Sequence, residues 1–204
     1  MSSLRTEGTD EALMVRYQSG DRSAFAVLVR RHQASLYNFA LRQLRSAPLA
    51  EEIVQDAFLR VVHNAAEFKH EARFVTWLYT IARNLCIDQA RKRALRQHPS
   101  LDEPKRAGEG DGPTLGDQTA DGRANVERAA SSTEIRERVL AAIDALPDDQ
   151  REVFLMREVS NLPFKEIAEI VGVSENTIKS RMRYALERLQ AALSEFEEYA
   201  RALR

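Results

Sequence analysis

The chain has 204 residues, 44% of them hydrophobic and 30% charged, which is enough apolar material for one or two packed domains that stay highly soluble. A formal net charge of -1 excludes a uniformly basic nucleic-acid coat and confines any DNA contact to local patches. The single cysteine, Cys86, excludes an internal disulfide framework, and the chain shows neither a run of membrane-span length nor a signal-peptide core, so a cytoplasmic location is expected.

The order of elements predicts an all-α protein. Residues Met1 to Gly8 read as a loose arm, after which Thr9 or Asp10 caps a helix running to Gln18 and stopped by Gly20. A longer helix follows from about Ser23 to Arg45, with Phe25, Leu28, Val29, His32, Leu36, Tyr37, Ala40 and Leu44 at helical spacing. Ser46 and Pro48 open a third helix, on which Ile53, Val54, Ala57, Phe58, Val61 and Val62 are expected inward, and Glu51, Glu52, Gln55, Asp56 and Arg60 outward. A polar loop from Lys69 to Ala72 leads to a fourth helix with Phe74, Trp77, Leu78, Ile81 and Leu85 on its buried stripe. That helix ends in Arg83, Arg91, Lys92, Arg93 and Arg96 against Asp88 alone. A cationic helix end in a near-neutral chain points to a polyanion contact.

Composition then changes. From residue 97 to 131 the chain carries prolines, five glycines and almost no large apolar residue, and the acids Asp102, Glu103, Glu109, Asp111, Asp117 and Asp121 outnumber Lys105 and Arg106. Such a stretch buries too little to offset its ordering entropy, and it predicts a flexible acidic linker that leaves the distance between its two neighbours unfixed. Order is expected to resume at Ser131, where SSTE forms a capping box with Glu134 ahead of Ile135, Val139, Leu140 and Ile143. Pro147 interrupts, and DQREVFLMREV brings Val153, Phe154 and Met156 inward.

The most informative stretch is FKEIAEIVGVSENTIKSRMRYALERL, from Phe164 to Leu189. Phe164, Ile167, Ala168 and Val171 form one apolar stripe, Gly172 is suited to a left-handed C-cap, and Ser174 is suited to an N-cap. The next helix turns Ile178, Met182, Ala185 and Leu189 inward and presents Asn176, Ser180 and Arg183, flanked by Thr177, Lys179 and Tyr184. Amide, hydroxyl and cationic groups on one narrow face suit the reading of base edges and phosphates, and the whole reads as a helix-turn-helix. A plain helical hairpin with a solvated polar face is the blander alternative. The four histidines lack metal-ligand spacing, and the chain has no Gly-rich phosphate loop or nucleophile constellation, so no metal, cofactor, small-molecule substrate or enzymatic activity is expected.

Three stretches in order resemble the extracytoplasmic-function (group IV) sigma factors of bacterial RNA polymerase. AEEIVQDAFLRVV resembles the segment that docks on the polymerase clamp, which implies a polymerase-binding role for Glu52, Gln55 and Asp56. FVTWLYTIARNLCIDQARKR is similar to the helix that recognises and opens the −10 element. That likeness implies −10 contacts from Asn84, Asp88, Arg91 and Lys92, and from Phe68, Lys69 and His70 in the loop where family members capture a flipped base. The block from Leu146 to Leu189 looks like the −35-reading domain and implies contacts from Asn176, Thr177, Lys179, Ser180, Arg181, Arg183 and Tyr184. Trp77 matches an aromatic position that primary sigma factors use near the melted edge, although its place in the apolar stripe favours a core role. The resemblance implies two small helical domains, residues 1–96 and 132–204, with core RNA polymerase and promoter DNA as partners. It also implies an anti-sigma factor, which is membrane-anchored in many relatives. A stand-alone operator-binding regulator is the competing reading, and it leaves the docking helix and the cationic fourth helix without a role.

Overall fold

In the computed structural model the described residues are 8–69, 73–96 and 135–202, with no side chains described at 96 or from 195 onward. Helix α1 spans Asp10–Gln18, α2 Arg22–Leu44, α3 Ala47–His63 and α4 Phe74–Arg96, with one 3-10 turn at Ala65–Glu67. In the C-terminal unit α5 covers 135–144, α6 Asp148–Phe154, α7 Phe164–Val171 and α8 Glu175–Ala202. Among the described residues there is no strand.

The local signals account for most boundaries. Thr9 caps α1 by accepting the Ala12 N–H at 3.2 Å, and Asp21 caps α2 through the Ser23 N–H at 3.0 Å. Helix α2 ends on Arg45 in the left-handed region at φ 52°. Pro163 is the N-cap of α7, in extended backbone ahead of its first turn. The stretch DQREVFLMREV forms the end of α6 followed by a wide π turn at Leu155–Val159. The expected linker at 97–131, the capping box at Ser131 to Glu134 and the arm at Met1 to Glu7 lie outside the described residues.

The N-terminal unit packs α1, α2, α3 and α4 around Leu13, Met14, Leu28, Leu36, Phe39, Ile53, Val61, Phe74 and Leu78. Two expectations need correction. Val62 is 37% exposed, one step round α3 from the fully buried Val61, and Ile135 is 40% exposed at the first described residue of α5. Several buried residues outside the expected stripes complete the core: Phe39, Tyr79, Ala82, Leu155 and the charged Arg151. Arg151 is tolerated inside because it donates to the Leu146 and Asp144 carbonyls and pairs with Asp148.

The two units are in direct contact, which corrects the expectation that a loose tether leaves their distance unfixed. Ser160 Oγ donates to the Tyr79 hydroxyl at 2.5 Å, Thr76 Oγ1 donates to Glu166 Oε2 at 2.7 Å, and Arg73 pairs with Glu166 at 3.1 Å. Arg83 Nε lies 2.6 Å from Glu152 Oε1, and Arg42 Nη1 lies 3.0 Å from Asp144 Oδ2. These pairs join α2 and α4 to α5, α6, the π turn and α7. Linker composition carries no information about such side-chain complementarity.

Candidate nucleic-acid interface

The helix-turn-helix is built as its residues dictate. Gly172 takes φ 77° and ψ 34° at the end of α7, its N–H bonded to the Ala168 carbonyl. Ser174 then caps α8, its Oγ accepting the Thr177 N–H at 3.1 Å. Ile178, Met182, Ala185 and Leu189 are all buried, and that single stripe fixes the rotation of α8. Asn176, Lys179, Ser180, Arg183 and Tyr184 are consequently exposed. Arg183 lies over the Tyr184 ring at 4.7 Å and near Glu187 at 3.7 Å, while Lys179 pairs with Glu175 at 2.7 Å. These exposed ion pairs are weak enough to yield to phosphate. Two members of the expected set are otherwise engaged. The Thr177 hydroxyl lies 2.8 Å from Ser174 Oγ within the cap, and Arg181 pairs with Asp149 at 3.1 Å on the side facing the other unit.

Helix α4 presents three faces. Phe74, Leu78, Ala82 and Leu85 face the N-terminal core, and Thr76, Tyr79 and Arg83 face the C-terminal unit. The remaining face carries Asn84, Asp88, Arg91 and Lys92, all exposed, at spacings that keep them on one side. Trp77 falls on the same side but is half-buried, its ring 5.3 Å from Phe68 and 6.4 Å from Phe74. Phe68 is 6% exposed and also packs on Phe74. This corrects the expectation for Phe68: its ring is committed to the core and is not offered to a base. Lys69 is exposed, and His70 lies outside the described residues.

On α3, Glu52 and Gln55 are exposed and Asp56 is half-buried. Glu52 Oε1 accepts from Gln89 Nε2 of α4 at 3.3 Å, so α3 and α4 touch here. Leu59, 54% exposed, continues the same face one turn after Gln55. It was missed in the sequence, although its spacing from Gln55 places it there. Cys86 is buried between the units, and burial first, with Glu152 adding to it, pushes its thiol up to about 12. A thiol held protonated at neutral pH is a packing group rather than a reactive one. Among the described residues no cluster of His, Cys, Asp or Glu is arranged to hold a metal ion, and no helix is long and apolar enough to cross a membrane.

Comparison with known proteins matches residues 28–96 to sigma-70 region 2 and residues 136–189 to sigma-70 region 4. The RNA polymerase sigma-H factor of Pseudomonas aeruginosa is 30% identical over 190 residues, covering 93% of this chain and 96% of that one. The ECF RNA polymerase sigma factor SigW of Bacillus subtilis is 32% identical, covering 86% of this chain and 92% of its own. Among solved structures, the sigma factor RpoE in complex with the anti-sigma factor NepR from Bartonella quintana superposes with a TM-score of 0.64 at 25% identity, covering 83% of this chain and 96% of that one. The match therefore runs along nearly the whole length of these relatives, and the chain belongs to the extracytoplasmic-function sigma factors, which direct RNA polymerase to promoters and initiate transcription.

Proposed function

We propose that the N-terminal unit docks on core RNA polymerase through Glu52, Gln55 and Asp56 and holds the −10 strand along Asn84, Asp88, Arg91 and Lys92, assisted by Lys69. The C-terminal unit reads the −35 element through Asn176, Lys179, Ser180, Arg183 and Tyr184, with Thr177 and Arg181 at the margin of that face. The domain bounds are residues 1–96 and 132–204. The observation that carries this reading is the exposure of both polar faces on helices fixed from behind by buried stripes. The chain acts as a non-enzymatic specificity subunit in the cytoplasm, where it meets polymerase. An anti-sigma factor is its regulator, by analogy with the partner of the Bartonella relative.

Immobilised full-length chain is expected to retain core polymerase, and Gln55→Ala combined with Asp56→Ala to lower that retention with an unchanged melting temperature. A parallel fall in melting temperature and retention, or equal retention by the variant, overturns the docking assignment.

A further inference from the structure

Where the two units meet they leave a cavity of about 350 Å³, walled by α2 and α4 on one side and by α6, α7 and the turn before α8 on the other. The walls are mostly apolar: Phe39 and Leu44 from α2, Ile87 from α4, and Val171 and Val173 from the end of α7 and the turn. Phe39 is fully buried and Leu44 keeps 8% of its surface, so the N-terminal core holds these walls in place. A cavity of this size falls at the lower end of the range for small-molecule sites, and such sites favour the contact between domains. An apolar cavity of roughly 150 Å³ already accommodates benzene, so a substituted benzene fits here with room to spare.

The polar groups in the wall define the chemistry. Each charged side chain there already has its counter-charge. Arg83 Nε lies 2.6 Å from Glu152 Oε1, Arg181 Nε lies 3.1 Å from Asp149 Oδ2, and Asp148 pairs with the buried Arg151 at 2.5 Å. An ion entering this space would shed its hydration and meet no free charge to compensate it. Gln43 of α2 is different: its Nε2 is buried without a hydrogen-bond partner among the described residues. An amide nitrogen offers two hydrogens and accepts nothing, and leaving such a donor unmet in the interior is costly. A neutral acceptor on an apolar body is what complements this wall.

We propose that the cavity binds a small uncharged molecule, apolar except for one carbonyl-type acceptor that receives a hydrogen bond from Gln43 Nε2. The site is independent of the promoter and polymerase contacts proposed above. Because its walls come from both units, the molecule binds only while the units touch, and by linkage its binding strengthens that contact. The cavity is therefore a point at which a small molecule holds the N-terminal unit and the helix-turn-helix unit together.

The test uses the full chain and three benzene derivatives of nearly equal size: acetophenone as the neutral acceptor, cumene as the hydrocarbon and benzoate as the anion. Binding is followed through the methyl resonances of Ile87, Val171 and Val173. Acetophenone is expected to shift these methyls saturably and to raise the melting temperature, whereas benzoate binds at least about tenfold more weakly. Gln43→Leu replaces the unmet amide by an apolar group of similar size. It should move the ratio of acetophenone to cumene affinity about tenfold toward the hydrocarbon. Gln43→Met, which also lacks the donor, gives the same reading should the leucine variant fold poorly. Ala90→Phe, at an exposed position on the cavity wall, should abolish binding of all three probes and leave the melting temperature of the free chain unchanged. Methyls that show no saturable shift with any probe mean that water alone fills the cavity, and the proposal falls. It falls equally if benzoate binds best, if the acetophenone-to-cumene ratio is the same without the Gln43 donor, or if Ala90→Phe binds the probes as wild type does.

Discussion

Helices α4 and α8 both carry the polar residues proposed to meet DNA, and they are built on different plans. Helix α8 has one buried stripe, Ile178, Met182, Ala185 and Leu189, and apart from Thr177 in the cap and Arg181 on Asp149 its proposed reading residues stand exposed. Helix α4 is covered on two sides, by its own core through Phe74 and Leu78 and by the C-terminal unit through Tyr79, Thr76 and Arg83. Only a narrow third face is left for Asn84, Asp88, Arg91 and Lys92. The proposed readout from α8 is thus a property of one helix and its cap, and the proposed strand contact of α4 is not. Strand binding by α4 depends on elements distant in sequence, and this difference predicts where each function is vulnerable.

The largest break in that comparison comes from Tyr79. Its side chain is fully buried, its ring is 5.4 Å from Phe39 and its hydroxyl is bonded to Ser160. Tyr79→Ala should destabilise the N-terminal unit by about 3–5 kcal/mol, as truncation of a large core aromatic does. Urea unfolding followed by Trp77 fluorescence measures it, and an Ala185→Ser change on α8 offers a contrasting, smaller loss.

The same asymmetry explains what could be read in the sequence. The caps at Thr9 and Ser174, the left-handed Gly172 and the stripe of α8 were all legible, because each is a local signal or a single-faced periodicity. Tyr79, Glu166 and Arg151 were not, because their burial depends on the partner unit or on carbonyls several residues away. Phe68 illustrates the limit of resemblance: a family position suggested an exposed base contact, whereas packing against Trp77 and Phe74 places the ring in the core. Of the exposed candidates, Asn176, Ser180 and Arg183 were found because an outward face is the complement of a clean stripe.

A second prediction sharpens the comparison at the contact between units. Arg83 and Glu152 keep only 20% and 13% of their side-chain surface, so removing one partner leaves the other poorly solvated. Glu152→Ala should cost about 2 kcal/mol and enlarge the radius of gyration measured by small-angle scattering. An unchanged radius would mean that Tyr79 and Glu166 suffice to hold the units together.

On the α8 side, Arg183→Ala and Lys179→Ala should each weaken −35 binding by about 1–3 kcal/mol while leaving melting temperature and polymerase retention alone. Equal transcription from promoters with and without a matched −35 element would contradict this. The smallest effect is pH-linked and belongs to α1. Burial raises the Asp10 pKa, but hydrogen bonds from His32 and Arg31 outweigh it, leaving the carboxyl below its usual 3.8. A lowered folded value means that this stabilisation is complete above the unfolded pKa and is lost as pH falls through the folded one. Asp10→Asn should therefore cost about 1 kcal/mol at neutral pH, and the difference from wild type should shrink once the pH drops below 3.8.

On the proposed reading neither face opens a promoter by itself, and polymerase supplies the geometry in which both act. Permanganate reactivity of promoter thymines, measured for the full chain with and without core polymerase at physiological salt, tests this most directly. The expected result is unpaired thymines at the −10 element only when both proteins are present, with weak and salt-sensitive duplex binding by the chain alone. Tight, sequence-specific duplex binding by the isolated chain, with no strand opening added by polymerase, would contradict it.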